Sequence, residues 1–292
     1  MKDLESKAIK RIKVASKMSL HHYGQPLVCC YSGGKDSDVL LEIFRRSGIP
    51  FEVHHSHTTA DAPETVYHTR KVFRDLELQG IKCTIEMPMF KGKRVSMWNL
   101  IPHKKMPPTR IVRYCCEVLK ETGCKNRFIA TGVRWSESTK RKSRSEYETI
   151  EKNVKKSVRL SDEVMLMNDN DRVRKLTEHC MARKKSCVNP LIDWTDSDIW
   201  GYINSEKIPM NPLYSRGYYR VGCIGCPAAG KGRYKEFADY PTFERAYIRA
   251  FEKMIEVRKG NDMSCQWQTG EEVFLWWMED KNIEGQMKLD FS

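Results

Sequence analysis

A short apolar run, Leu27-Val28-Cys29-Cys30, gives way to Tyr31-Ser32-Gly33-Gly34-Lys35-Asp36-Ser37, and an apolar helical pattern, Val39-Leu40-Leu41 then Ile43-Phe44, follows at once. This order predicts a strand, a tight glycine turn and a helix, and it commits the surrounding chain to an α/β arrangement. Two adjacent glycines let the backbone approach a phosphate. The helix N-terminus offers unpaired N–H groups to an anion, and Lys35 adds a point charge. The stretch Ser32 to Ser37 therefore reads as a pyrophosphate cradle. Its spacing is not that of a Walker loop, which puts four residues between the first glycine and the Gly-Lys pair. The competing reading, a Gly-rich surface turn, is disfavoured by the strand-to-helix setting.

The alternation continues along the chain. Leu4, Ala8, Ile9, Ile12, Val14, Ala15 and Met18 predict a leading amphipathic helix over residues 1–22. Strands are expected at Phe51–His55, Cys83–Met87 and Phe128–Gly132, with a helix from Glu64 to about Leu78. Strands alternating with helices give a doubly wound parallel sheet, with ligands at the strand carboxyl ends. Residues 91–108, rich in Lys and Pro, are expected to form a mobile loop, as is part of 134–158. Thr195 or Ser197 caps a helix carrying Ile199, Trp200, Tyr202 and Ile203. From Asn211 the chain reads as loop-rich up to Tyr240-Pro241, then as helix from Phe243 to Val257, with a short apolar helix at Glu271–Met278. The expected division is an N-terminal helix (1–22), a nucleotide-binding domain (23–212) and a loop-rich, partly helical C-terminal region (213–292).

With 292 residues the chain can bury an ample core. No stretch approaches 18 uninterrupted apolar residues, and the charged start (Lys2, Asp3, Glu5, Lys7) lacks a signal-peptide core. The expectation is a cytoplasmic protein with no membrane partner. Lys and Arg exceed Asp and Glu by 51 − 38 = 13. Eight of the basic residues fall between Lys91 and Lys120 against one acid, and nine between Arg134 and Arg159 against four. Such patches suit a polyanion, nucleic acid ahead of a merely solvated face.

Eleven cysteines in a chain of this kind point to metal or redox chemistry more than to disulfides. Cys115-Cys116 heads a predicted helix, and Cys223-Ile-Gly-Cys226 lies in a Gly-rich loop. A Cys-x-x-Cys turn aims two thiolates at one point, a half-site for zinc or an iron–sulfur cluster. Adjacent cysteines diverge in direction, which suits the separated irons of a cubane better than one tetrahedral ion. Zinc, a Cys223/Cys226 redox dithiol and buried structural thiols stay open as alternatives.

Five motifs carry a resemblance: Arg113-Tyr-Cys-Cys-Glu-Val-Leu-Lys120, Thr131-Gly-Val-Arg-Trp-Ser-Glu-Ser138, Asn189-Pro-Leu-Ile-Asp-Trp-Thr-Asp196, Asn211-Pro-Leu-Tyr214 and Gly222-Cys-Ile-Gly-Cys226. Together with Ser32 to Ser37, their order and chemistry resemble the phosphoadenosine phosphosulfate (PAPS) reductase family of the PP-loop, or N-type ATP pyrophosphatase, superfamily, over about residues 25–230. The resemblance implies an adenine nucleotide alpha hydrolase-like fold. It also implies a [4Fe–4S] cluster on Cys115, Cys116, Cys223 and Cys226 beside the nucleotide site.

Two departures separate the chain from the sulfonucleotide reductases. Those enzymes use a cysteine in a C-terminal Glu-Cys-Gly-x-His segment, whereas this sequence has no cysteine after Cys265. They also tend to carry a degenerate glycine loop, which is intact here. The closer resemblance in motif logic is to iron–sulfur ATP pyrophosphatases such as the DNA phosphorothioation protein DndC and the tRNA thiolases. It implies ATP and magnesium at Ser32, Gly33, Gly34, Lys35, Asp36 and Ser37, with Gly132, Arg134, Glu137 and Ser138 near the adenosine or α phosphate. Lys35, Asp36 and Arg134 are then the catalytic candidates. The implied partners are nucleic acid (DNA or tRNA) and a sulfur donor such as a cysteine desulfurase, and a homo-oligomer is allowed. The alternatives are a sulfonucleotide reductase, with Cys265 or Cys187 as nucleophile, and a non-catalytic nucleic-acid-binding subunit.

Overall fold

The computed structural model describes residues 2–138, 141–150 and 185–279. The long helix α1 (Lys2–Tyr23) leads into β1 (Leu27–Cys30), whose residues Leu27, Val28 and Cys29 are buried, as expected for a central parallel strand covered on both faces. The sequence-predicted elements follow: α2 (Lys35–Ser47), β2 (Phe51–Ser56), α3 (Pro63–Glu77) and β3 (Cys83–Glu86). A two-stranded hairpin, β4 (Met89–Phe90) and β5 (Lys93–Arg94), precedes α4 (Met97–Lys104) and α5 (Tyr114–Leu119). The remaining elements are β6 (Phe128–Ala130), β7 (Tyr147–Ile150), β8 (Lys185–Val188), α6 (Asp196–Glu206), α7 (Gly232–Asp239), α8 (Pro241–Lys259) and α9 (Gly270–Met278).

Six strands form one sheet in the order β3-β2-β1-β6-β8-β7, parallel except for β7, which pairs antiparallel with β8 at the edge. From β1 the chain winds outward through β2 and β3, then returns to β1's other side as β6. The glycine loop leaves β1 at this switch point, where open α/β sheets bind ligands. One face of the sheet packs on a core of Ile12, Leu40, Phe44, Trp194 and Tyr202 from α1, α2, α6 and the turn before α6. On the other face a small cluster of Val28, Ile129 and Cys187 is packed by Cys30 and Cys124.

Contacts divide the chain into two units, and not by consecutive segments. The first holds residues 1–56, 62–86 and 123–222, and the second 57–61, 87–122 and 223–292. The second thus draws 87–122 out of the segment expected as one nucleotide-binding domain. Within it, α4 and α9 lie against α8, and Trp98, Phe237, Phe251 and Trp277 surround Tyr247.

The expectation of a loop at residues 91–108 is corrected, and two stretches expected to be loop-rich or partly mobile each contain an element. Residues 91–108 contain β5 and α4: Asn99 accepts from the Ser96 N–H at 2.6 Å, and Met97, Leu100 and Ile101 are buried. Pro102 lies close enough to the helix end that Lys105 N–H closes on the Ile101 and Pro102 carbonyls. The 211–240 stretch contains α7, held by its buried face of Arg233 and Phe237. The densely charged 134–158 stretch contains β7; residues 151–158 lie outside the described residues. Among the described residues no helix is long and apolar enough to cross a membrane.

Candidate functional site

In the first unit, the glycine loop is built by its own hydrogen bonds and by one distant motif. Gly33 has φ of 73°, a left-handed value natural to glycine, and a Cβ there would sit 3.0 Å from Thr69 Oγ1 and 3.1 Å from Thr65 Cγ2. Ser37 Oγ donates to the Gly34 carbonyl at 2.7 Å and accepts from Gly34 N–H at 3.1 Å, while Ser32 Oγ stands 3.3 Å from it. Asn211 Nδ2 donates to the Gly33 carbonyl and to Thr65 Oγ1, both at 3.0 Å. Tyr214 Oη accepts the Lys35 N–H at 2.8 Å, so a phenol oxygen stands where the α2 N-terminus would meet an anion's oxygen. Burial pushes that phenol above its usual range.

Four charged side chains gather at the start of α2. Lys35 Nζ lies 2.8 Å from Asp196 Oδ1 and 3.1 Å from Asp36 Oδ2. Arg134, only 2 % exposed, reaches Asp36 Oδ1 at 2.7 Å and Asp196 Oδ1 at 3.0 Å, and donates to Ser136 Oγ and the Trp194 carbonyl. The hydrogen bond from Lys35, followed by the charges of Lys35 and Arg134, holds the Asp196 carboxyl below the usual aspartate range. Gly132 lets β6's continuation pass α2 closely, since a Cβ would stand 3.1 Å from the Asp36 carbonyl oxygen. Glu137 accepts the Arg134 backbone N–H at 3.0 Å and so shapes the turn, and Ser138 ends that turn, exposed. Beneath the loop, Asp38 Oδ1 accepts from Tyr31 Oη at 2.5 Å and lies 3.2 Å from His68 Nε2.

In the second unit, Cys115 and Cys116 open α5, and Cys223 and Cys226 flank a turn closed by Cys226 N–H on the Cys223 carbonyl at 3.2 Å. The turn is pressed onto aromatic rings. Gly225 has φ of 72°, and a Cβ there would meet Phe237 at 2.5 Å, Tyr247 at 2.9 Å and Trp277 at 3.1 Å. Glu236 accepts the Gly225 N–H at 2.7 Å, and Tyr247 Oη donates to the Ile224 carbonyl at 3.0 Å. The four sulfurs act on one another electrostatically. Cys115, Lys120 and Arg113 together hold the Cys116 thiol down to about 5, and Cys116 with burial pushes Cys115 up. Burial pushes Cys223 up to about 11, while its thiol donates to Thr58 Oγ1 at 3.3 Å. Arg113 reaches Cys116 Sγ at 3.1 Å, and Lys120 is charged more firmly, first through Cys223. Cys115, Cys116, Cys223 and Cys226, with Arg113 and Lys120 acting on them, supply soft donors of the kind an iron–sulfur cluster takes.

Asp196, Asn211 and Tyr214 bear directly on the glycine loop, and Arg113 and Lys120 on the thiols, yet none was singled out from the sequence. The signal was present, because each falls inside a quoted motif. Of the two cysteines named as reductase nucleophiles, Cys187 is buried in the first unit, and that burial pushes its thiol up to about 11. Cys265, in the second unit, donates to the Trp267 carbonyl at 3.3 Å.

A family model described as phosphoadenosine phosphosulfate reductase domain matches residues 26–229. The chain is 25 % identical over 264 residues to an uncharacterized protein of Methanocaldococcus jannaschii, covering 88 % of this chain and 53 % of that one. It is 24 % identical over 213 residues to an adenosine 5'-phosphosulfate reductase of Geobacillus kaustophilus, covering 70 % and 74 %. It spans about half or less of the first curated relatives it matches. Among solved structures it is similar to a phosphoadenylyl-sulfate reductase from Candida auris in its phosphate complex, with 16 % identity, a TM-score of 0.43, and coverage of 76 % of this chain and 93 % of that one.

Proposed function

The chain belongs to the phosphoadenosine phosphosulfate reductase domain family, and on that premise we propose that it is an ATP-consuming sulfur-transfer enzyme. It would adenylate an oxygen of an acceptor, nucleic acid by the chain's charge, after which a sulfur nucleophile displaces AMP. The observation that carries this reading is the complete glycine loop with Lys35, Asp36, Arg134 and Asp196 gathered at its helix end. The loop's backbone and the α2 N-terminus suit the β and γ phosphates.

In the proposed reaction the acceptor oxygen attacks the α phosphorus, the bond to the bridging oxygen breaks, and pyrophosphate leaves. Lys35, turned from Asp196 toward the departing phosphates, stabilises their charge. Asp36 and Asp196 offer hard oxygens for magnesium. Arg134, fixed by Ser136 and Trp194, keeps the two carboxylates in place and presents a charge to the α phosphate. Cys115, Cys116, Cys223 and Cys226 would hold a [4Fe–4S] cluster. When bound, that group supplies a site for carrying a sulfur atom.

The second reading, a sulfonucleotide reductase, is favoured by the relative of that name matched over 74 % of its length. One experiment separates the two, and both from a non-catalytic nucleic-acid-binding subunit. The protein is incubated with ATP and magnesium, and separately with PAPS or its unphosphorylated analogue plus a reductant. Pyrophosphate and AMP are expected, and Lys35→Ala should abolish them without unfolding the chain. Sulfite formation with no turnover of ATP would hand the case to the reductase. Neither product would leave the binding subunit.

A further inference from the structure

In the first unit the phenol of Tyr214 sits against the backbone that the nucleotide reading assigns to phosphate. Its oxygen accepts the Lys35 N–H at 2.8 Å, and Lys35 is the first residue of α2. A Cβ on Gly34 would stand 3.5 Å from the same oxygen, so the phenol covers the approach that the paired glycines leave open. One N–H proton serves one strong acceptor. Tyr214 Oη and a phosphate oxygen therefore compete for the Lys35 N–H, and they are unequal competitors. The phenol is neutral, kept above its usual range first by burial, whereas a phosphate oxygen is charged and accepts the stronger hydrogen bond.

The backbone that carries Tyr214 is held in place, and its ring is the part that can yield. Asn211 Oδ1 accepts the Leu213 N–H at 3.0 Å, and the Tyr214 N–H closes on the Asn211 carbonyl at 3.1 Å. Asn211 and Leu213 are buried, Tyr214 is half-buried, and Ser215, Arg216 and Gly217 after it are exposed. The ring rests edge-on against Trp200 of α6, with centroids 5.5 Å apart and planes at 87°.

We propose that Tyr214 is a phosphate surrogate: its hydroxyl caps the α2 N-terminus until a phosphate of the nucleotide displaces it, and the ring then leaves its contact with Trp200. The exchange has a driving force, because the charged oxygen gains more from the Lys35 N–H than the phenol loses. Its consequence is that the apparent affinity for the ligand is lowered by the fraction of molecules in which the phenol holds that N–H. The inference rests on the nucleotide reading of the glycine loop, to which it adds how access to that loop is regulated.

The test titrates the full chain with inorganic pyrophosphate and, separately, with ATP, by calorimetry. Tyr214→Phe keeps the ring and loses the hydroxyl, and it should bind both ligands about two- to tenfold more tightly than wild type, the worth of one surrendered hydrogen bond. Tyr214→Leu should tighten binding as well, and circular dichroism checks that both variants fold. In the unaltered chain, saturating pyrophosphate should change the emission of Trp200, read as the difference between wild type and Trp200→Phe. Weaker binding by Tyr214→Phe would make the hydroxyl a ligand of the phosphate and overturn the proposal. Unchanged binding, or a Trp200 signal that stays silent at saturation, would overturn it too. Tighter pyrophosphate binding by Tyr214→Phe in a protein that releases no pyrophosphate from ATP would retire the ATP reading and leave this inference standing. ATP turnover with unchanged affinity in Tyr214→Phe would do the reverse, and binding of neither ligand to any of these proteins would sink both.

Discussion

Asp196 is expected to matter more to the proposed chemistry than to stability. It bridges Lys35 and Arg134, but its own side chain is 63 % exposed, so water screens both ion pairs. Asp196→Asn should therefore cost no more than about 1 kcal/mol of folding stability. The sign of its pH dependence follows from a carboxyl held below the ordinary aspartate value of 3.8. Its contribution is fully present above that value and is lost as the pH falls through the lower folded value. Urea titrations of wild type and Asp196→Asn should differ by a constant amount above about pH 5 and converge in stronger acid. A gap that widened in acid would mean that the carboxylate is not stabilised by its two cations. Pyrophosphate release should fall far more than stability does, by at least about tenfold, because Lys35 and Arg134 lose the group that sets them.

At the scale of elements, the Cys223–Cys226 turn is the clearest case of a local conformation imposed by packing. Gly225→Ala adds a methyl against three rings at a left-handed φ, which should destabilise the second unit by about 2 kcal/mol. Anaerobically purified wild-type protein is expected to be brown, with about four irons and four sulfides per chain. Gly225→Ala should lose iron even though all four thiols remain. Cys116→Ser should bleach the protein and Cys83→Ser should not. A colourless wild type with stoichiometric zinc would refute the cluster. Elements that fold on local pattern were legible in the sequence: α1, the β1–loop–α2 unit, and α6 with its Thr195 cap accepting from Asp198 N–H at 3.2 Å. Elements that depend on partners were not. β8 was masked by the Asn-Pro turn that follows it, and β7 is an antiparallel edge strand inside a charged stretch. Likewise, the glycine loop announces itself through its own residues, whereas its support by Asn211 and Tyr214 comes from about 180 positions away. No periodicity encodes such a contact.

For the whole molecule, the open question is what an excess of 13 positive charges attracts. Lys104 and Lys105 fall within the basic run from Lys91 to Lys120, but Lys104 Nζ lies over the rings of Phe90 and Tyr114 at 4.9 and 5.7 Å, and Lys105 Nζ is bound to Asn261 Oδ1 at 3.0 Å. Both have packing roles, so changing them would confuse binding with folding. Lys93 and Arg94 on β5 are exposed and are the better probes. Of the other basic stretch, Arg134 to Arg159, residues 139–140 and 151–159 lie outside the described residues. If nucleic acid is the acceptor, affinity should fall steeply with salt as condensed counterions are released. Replacing both probes with Glu should lower the logarithmic slope by about 1.4 on single strands and about 1.8 on duplex, if each contacts one phosphate. ATP affinity should stay nearly unchanged, because the glycine loop draws on backbone groups and on Lys35 and Arg134. Filter binding to duplex DNA and to tRNA across a salt series, alongside ATP titration, measures all three quantities. Wild-type binding that ignores salt on both nucleic acids would reduce the charge to a solvated face and move the acceptor to the small molecules.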